Sequence, residues 1–102
     1  MSNIKFSIVL PVLNGENTLP KTLQSLLSIN YQGYEVIVSN NLSSDKTAEI
    51  LQSFKSENLK IFSPDSRLGW SQNLAFAYSK AKGDWQFHIG DDDVILPSKL
   101  KV

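Results

Sequence analysis

Residues 4 to 10, Ile-Lys-Phe-Ser-Ile-Val-Leu, are apolar or β-branched at nearly every position, the pattern of a strand buried on both faces. Pro11 has no backbone N–H to give a ladder and is expected to end that strand. After the loop Asn14-Gly15-Glu16, the residues Leu19, Leu23, Leu26 and Leu27 fall on one helical stripe. Asn17 is the expected cap of this helix, Pro20 is tolerated in its first turn, and it runs out near Ile29. Tyr34 to Val38 repeats the buried-strand pattern, and the polar stretch from Ser39 to Asp45 reads as a loop able to cap a second helix with Ile50, Leu51 and Phe54 on its apolar face. A short strand, 59–62, passes through the turn Ser63-Pro64-Asp65 into a third helix. There Trp70, Leu74, Ala77, Tyr78 and Ala81 keep helical spacing, Trp70 is expected in a core or an interface, and Gly83 is the expected terminator. A last strand over 85–89, with Trp85 read like Trp70, delivers Gly90-Asp91-Asp92-Asp93; Val94 to Val102 begins a further loop or helix.

The order β-α-β-α-β-α-β predicts a Rossmann-like, three-layer α/β/α arrangement with a mainly parallel sheet and right-handed crossovers. The carboxyl ends of the first, second and fourth strands then share one edge, where open α/β sheets take their ligands. With 102 residues, 41% of them hydrophobic, one domain with one core is expected, and no repeat, low-complexity tract or linker interrupts it. Ten basic residues balance ten acidic ones, which removes the electrostatic footprint of a nucleic-acid binder. The absence of cysteine excludes disulfide frameworks, thiolate zinc sites and thiol nucleophiles, and fits a reducing compartment. Any metal must therefore sit on oxygen ligands or on His88. The apolar run from Phe6 to Leu13 is too short to span a bilayer, and no cleavage site or Arg-rich leader accompanies it, so the expectation is a soluble, cytoplasmic chain without membrane insertion.

Candidate chemistry concentrates in the triple aspartate. Three successive carboxylates raise one another's pKa unless a cation offsets them, and hard oxygen ligands of this type suit Mg2+ or Mn2+. A solvated acidic turn is the plainer reading of such a run, but its position at the exit of an apolar strand favours the metal. Arg67, in the turn before the third helix, is a candidate phosphate ligand against the alternative of a solvated cation. His88 reads as a satisfied core or edge histidine rather than a ligand.

Four separated segments resemble one known family. IKFSIVLPVLNGENTLPKTLQSLL is similar to the opening strand, Pro-x-Tyr-Asn loop and helix of the inverting family 2 glycosyltransferases of GT-A fold. YEVIVSNNLSSDKT resembles that family's second strand and Asp-Asp/Asn-x-Ser-x-Asp loop. LGWSQNLAFAYSKAKGDW resembles its Gly-to-Asn helix, and FHIGDDDVILP its DxD-type metal strand. The order and spacing of the four are specific where each motif alone is weak, and they span almost the whole chain.

The resemblance implies the N-terminal nucleotide-binding part of a GT-A domain over 1–102, with a nucleoside diphosphate sugar as donor, a UDP-sugar first among them, and an unidentified acceptor. It implies Mn2+ or Mg2+ bridging the pyrophosphate and the aspartate strand. On this reading Asp92 is the direct metal ligand, Asp93 the second carboxylate and Asp91 the ribose partner, while Pro11, Val12, Leu13, Asn14 and Glu16 lie along the nucleobase loop and Arg67 reaches a phosphate. Two departures stand out. Leu13 occupies a position where the family often has Tyr, and an aliphatic side chain lacks the stacking geometry of a ring. Asn40-Asn41 replaces the usual aspartates; an Asn oxygen still accepts a hydrogen bond and its amide donates, or both residues form Asx turns that feed the next helix. Asn73 is expected to fix local packing.

In that family the general base for the acceptor hydroxyl lies well beyond the metal strand. It is therefore expected beyond Val102, and residues 1–102 are expected to bind donor and metal without turnover. The last strand is expected to leave an exposed sheet edge or apolar patch that a homo-oligomer would cover. Two other classes are compatible with the pattern: a non-catalytic interaction module or remnant half-domain, and a receiver-type phosphoacceptor domain, although receivers spread their acidic residues over several strands.

Overall fold

A computed structural model of the chain describes residues 4–90. Asp91, Asp92 and Asp93 lie outside them, and so does Val102, past which the general base is expected. The elements are β1 (Phe6–Val12), α1 (Leu19–Leu27), β2 (Tyr34–Asn40), α2 (Thr47–Ser53), β3 (Leu59–Phe62), α3 (Trp70–Tyr78) and β4 (Trp85–His88). The strands form one sheet in the order β3-β2-β1-β4, and every neighbouring pair is parallel. The seven expected elements are thus present in the expected order.

Burial follows position in the sheet. All seven residues of the interior strand β2 are buried, as are six of the seven in β1, while β3 and β4 at the sheet ends are short and partly exposed. Ile8, Leu10, Val12, Val36 and Val38 pack on one face against Leu19, Leu23, Leu26 and Leu51 of α1 and α2. Val9 and Ile37 on the other face meet Ala77 of α3, with Leu74, Tyr78 and Phe62 around them. Alternate side chains of one apolar run thereby serve two cores, which is why these strands read as continuous rather than alternating.

Local details depart from the sequence expectation in three places. β1 continues through Pro11, which pairs with Ser39 of β2. Val9 O accepts from Ile89 N on the β4 side and Val12 O from Asn41 N on the β2 side, so by alternation the missing donor of Pro11 faces β4 beyond the last paired residues, Val9 and His88, and no ladder bond is lost. The N-cap of α1 is Thr18 rather than Asn17, and the helix ends at Leu27. α3 ends at Tyr78, well before Gly83, whose absent side chain serves a different purpose: a Cβ there would lie 2.7 Å from Ser7 Oγ and 2.8 Å from the backbone of Phe6 and Ser7. Of the two alternatives for Trp70 and Trp85, the core is the one the fold removes: they are 65% and 64% exposed and belong to neither core.

At the amino edge of the sheet, Ser7 of β1 donates to Glu35 Oε2 of β2 at 2.7 Å and accepts from Gly83 N at 2.7 Å. Glu35 Oε2 also accepts from Lys82 N at 2.7 Å, and Lys60 of β3 approaches Oε1 at 3.6 Å. This buried carboxylate ties β1, β2 and β3 to the segment between α3 and β4, because acceptors removed from water must be satisfied internally. The chain proceeds outward from β1 to β2 to β3 and then returns to the other side of β1 for β4. The strand order therefore reverses at the carboxyl ends of β1 and β4, where crevices form in open α/β sheets.

Candidate functional site

The loops that follow β1 and β2 meet at that carboxyl edge and are bolted together by short polar side chains. Asn14 N donates to Ser43 Oγ at 2.8 Å, and Asn14 Oδ1 accepts from Ser44 N at 2.8 Å. One residue on, Gly15 N donates to Thr47 Oγ1 at 2.9 Å, then Glu16 N to Asp45 Oδ2 at 3.1 Å, while Glu16 Oε1 accepts from Lys46 N at 3.0 Å. Three successive backbone N–H groups of the first loop are thus met by the side chains of Ser43, Thr47 and Asp45 in the second. Asn14 has φ 55, a left-handed conformation that Asn tolerates through local hydrogen bonding.

Asp45 organises the lower part of this seam. Thr47 donates to its Oδ1 from the backbone at 2.9 Å and again from its hydroxyl. Desolvation alone raises the Asp45 pKa, but the hydrogen bonds from Thr47 and from the Glu16 backbone outweigh it and hold the carboxyl below its ordinary value. A depressed folded-state pKa means that the contribution of these contacts is complete above the unfolded carboxylate range, about 3.9, and is lost only as the pH falls through the lower folded value.

Asn40 and Asn41 differ in role although they are adjacent. Asn40 Oδ1 accepts from Ser43 Oγ at 2.6 Å and Ser43 N at 3.3 Å, an Asx-type turn that rounds the loop. Asn41 is 2% exposed and grips one backbone unit from both sides: its Nδ2 donates to Leu68 O and its Oδ1 accepts from Leu68 N, each at 2.8 Å. Arg67, exposed, sends Nη2 to Leu42 O at 2.7 Å. Leu42 itself stands at φ 54, a conformation that costs a non-glycine residue on the order of 1–2 kcal/mol and persists only where its surroundings enforce it. Leu13 and Leu42, 44% and 41% exposed, flank the Val12–Asn41 hydrogen bond and give the mouth of the seam an aliphatic lip.

On the other side of β1, Ile89 N reaches Val9 O at 3.1 Å, so the chain leaves β4 beside β1 at the same edge. His88 accepts or donates at Nδ1 to Tyr78 Oη at 2.8 Å, and its ring meets the edge of Trp70 at 6.2 Å between centroids. Asn73 is buried and exchanges hydrogen bonds with Ser39, at 2.6 Å through Oδ1 and 3.3 Å through Nδ2, fixing α3 on the sheet.

Of the sequence-predicted residues, Pro11, Val12, Leu13, Asn14, Glu16, Asn40, Asn41 and Arg67 therefore gather around one pair of loops; Asp91, Asp92 and Asp93 lie outside the described residues. Among the described residues, no three His, Asp or Glu side chains converge on one point, and no helix is long and apolar enough to cross a membrane. The sequence reading missed Ser43, Thr47 and Leu42. The polar run from Ser43 to Thr47 was the available signal for the first two; nothing in the sequence marks the positive φ of Leu42. A depression of about 550 Å³ bounded by Leu27, Ser28, Phe54 and Lys55 opens at the far ends of α1 and α2, away from these loops.

Comparison with known proteins places this geometry in context. The profile of the family described as Glycosyl transferase family 2 matches residues 7–102. An uncharacterized glycosyltransferase of Haemophilus influenzae is 32% identical over 97 residues, covering 93% of this chain and 39% of that protein. The poly(ribitol-phosphate) beta-N-acetylglucosaminyltransferase TarS of Staphylococcus aureus is 28% identical over 102 residues, covering 96% of this chain and 18% of that one. The crystal structure of S. aureus TarS 1-349 in complex with UDP-GlcNAc superposes with a TM-score of 0.85 at 26% identity, over 95% of this chain and 29% of that one. The chain spans about 29–39% of the length of the first curated relatives it matches. The sheet and its helices are those of the GT-A fold.

Proposed function

The chain belongs to glycosyl transferase family 2, and on that premise we propose that its carboxyl sheet edge binds a nucleoside diphosphate sugar for transfer to an acceptor hydroxyl with inversion. One observation carries the reading: the loops after β1 and β2 are locked into a single rigid lip at the edge from which β4 runs toward Asp91-Asp92-Asp93. A preorganised lip lowers the cost of holding a ligand with several rotatable bonds. The superposed TarS structure, which carries UDP-GlcNAc, supports a UDP-sugar as the donor.

In this proposal Pro11, Val12, Leu13 and Asn14 border the base, with Leu13 offering apolar area instead of a stacking ring, and Glu16 keeps the loop closed through Lys46. Asn40 supplies a polar edge near the base, Arg67 faces the diphosphate, and Asp91 holds the ribose. Asp92 and Asp93 would hold Mn2+ or Mg2+, which as a Lewis acid stabilises the charge that gathers on the diphosphate leaving group. Carboxylate oxygens are the donor type that such hard cations require. Residues 1–102 are assigned the donor-binding part of a GT-A domain. The base for the acceptor hydroxyl is assigned to residues beyond Val102, so turnover by this segment alone is expected to be absent.

The assigned metal ligand is tested by titrating UDP into the protein and its Asp92→Asn variant, with and without Mn2+. The wild type should bind UDP more tightly with the metal, by about tenfold or more for one direct carboxylate ligand, and the variant should show no such difference. Equal metal dependence in both proteins would reject Asp92.

A further inference from the structure

We propose that Asn41 is a positioning residue, acting through Leu68 to hold Arg67 against the diphosphate of the donor. The inference rests on the donor-binding reading and adds to it a division of labour between the two adjacent asparagines.

Asn41 is 2% exposed, so its side chain does not front the open edge. Its Nδ2 and Oδ1 engage the carbonyl and the amide of the same residue, Leu68, at 2.8 Å each, and its own backbone N–H is given to Val12 O at 2.8 Å. What Asn41 does to a ligand must pass through the segment it grips. The neighbouring residue in that segment is Arg67, whose guanidinium crosses back to Leu42 O at 2.7 Å. Leu42 adjoins Asn41 in the chain and is held at φ 54. The contacts close a ring from the Asn41 side chain to Leu68, Arg67, Leu42 and back to the Asn41 backbone. Arg67 is thereby anchored at both its backbone and its tip, on an exposed site beside the loop pair. Among the described residues a single hydrogen bond engages its five-donor fork, which leaves donors for a phosphate.

The chemistry of the grip is specific to a carboxamide. Asparagine donates and accepts at once; aspartate, of the same shape, only accepts. Asn41→Asp keeps the contact to Leu68 N and converts the contact to Leu68 O into a repulsion between two acceptors. The segment carrying Arg67 then shifts while Asn14 and Asn40 keep their own partners.

The test compares UDP and uridine binding, both with Mg2+, for the wild type, Asn41→Asp, Arg67→Ala and the double variant. For one charge-assisted phosphate contact, Asn41→Asp should weaken UDP by about tenfold and leave uridine unchanged, and should add nothing further in the Arg67→Ala background. Asn41→Ser replaces Asn41→Asp should the latter fail to fold. Equal losses for UDP and uridine, or losses that multiply in the double variant, would overturn the positioning role. The Arg67 Nε–H resonance reads the same coupling without ligand: it should move in Asn41→Asp, and an unmoved signal overturns the inference. Absence of UDP binding by the wild type would instead condemn the donor reading, so the two failures are told apart.

Discussion

Gly83→Ala should destabilise the protein by about 3 kcal/mol or more, the upper end of what overpacking usually costs. The added methyl would stand 2.7 Å from Ser7 Oγ and 2.8 Å from Phe6 C and Ser7 N, and two of these three neighbours are backbone atoms of a central strand. A flexible side chain could turn aside; β1, paired on both sides, cannot. Displacement of the strand also strains the Gly83 N bond to Ser7 Oγ. Gly69→Ala is the matched control, because its Cβ would meet only Gln72 Oε1, at 3.5 Å, an ordinary contact. Urea unfolding of both variants checks the expectation. A Gly83→Ala midpoint near that of the wild type would mean that β1 and the segment before β4 are not packed as closely as described.

Glu35→Ala should cost about 2–4 kcal/mol, a large share of the 5–15 kcal/mol typical of a domain. The carboxylate is 1% exposed, and its removal leaves the buried Ser7 Oγ and the partly buried Lys82 N without their acceptor, with a desolvation penalty of about 1–3 kcal/mol for the first and less for the second, which water reaches. The ion pair with Lys60 contributes little to this sum, since the Lys60 side chain is 43% exposed and 3.6 Å away and water screens such pairs. Glu35→Gln separates the two effects. Its amide oxygen still accepts from Ser7 and Lys82, so a loss of about 1 kcal/mol is expected. Denaturant midpoints measure both; equal losses for Ala and Gln would assign the role to charge rather than to the accepted hydrogen bonds.

These two residues also show what the sequence leaves unsaid. The interior strands were legible because burial on both faces demands apolar or β-branched residues at consecutive positions, and Tyr34-Glu35-Val36-Ile37-Val38 meets that demand around its one acid. Nothing local distinguishes Glu35 from a solvent-facing interruption; its partners Ser7 and Lys82 are 28 and 47 residues away. Gly83 looked like a helix terminator because glycine is frequent there, whereas its reason is a long-range approach to Phe6 and Ser7. The loop residues of the candidate site were legible as a group, since Asn14, Glu16, Asn40, Asn41 and Arg67 are polar residues at strand exits. Their roles were not. Whether an asparagine turns inward to a backbone, as Asn41 does, or rounds its own loop, as Asn40 does, depends on a partner that periodicity does not reveal. Pro11 and Thr18 show the same limit at element ends, where one hydrogen bond decides the boundary.

The central claim, that the lip formed by the loops after β1 and β2 holds a nucleoside diphosphate, is tested most directly by following the backbone amide spectrum while UDP and Mg2+ are added. The account predicts shifts concentrated at Leu13, Asn14, Asn40, Leu42, Arg67 and Leu68. No shifts, or shifts confined to Leu27, Ser28, Phe54 and Lys55 at the opposite ends of α1 and α2, would contradict it.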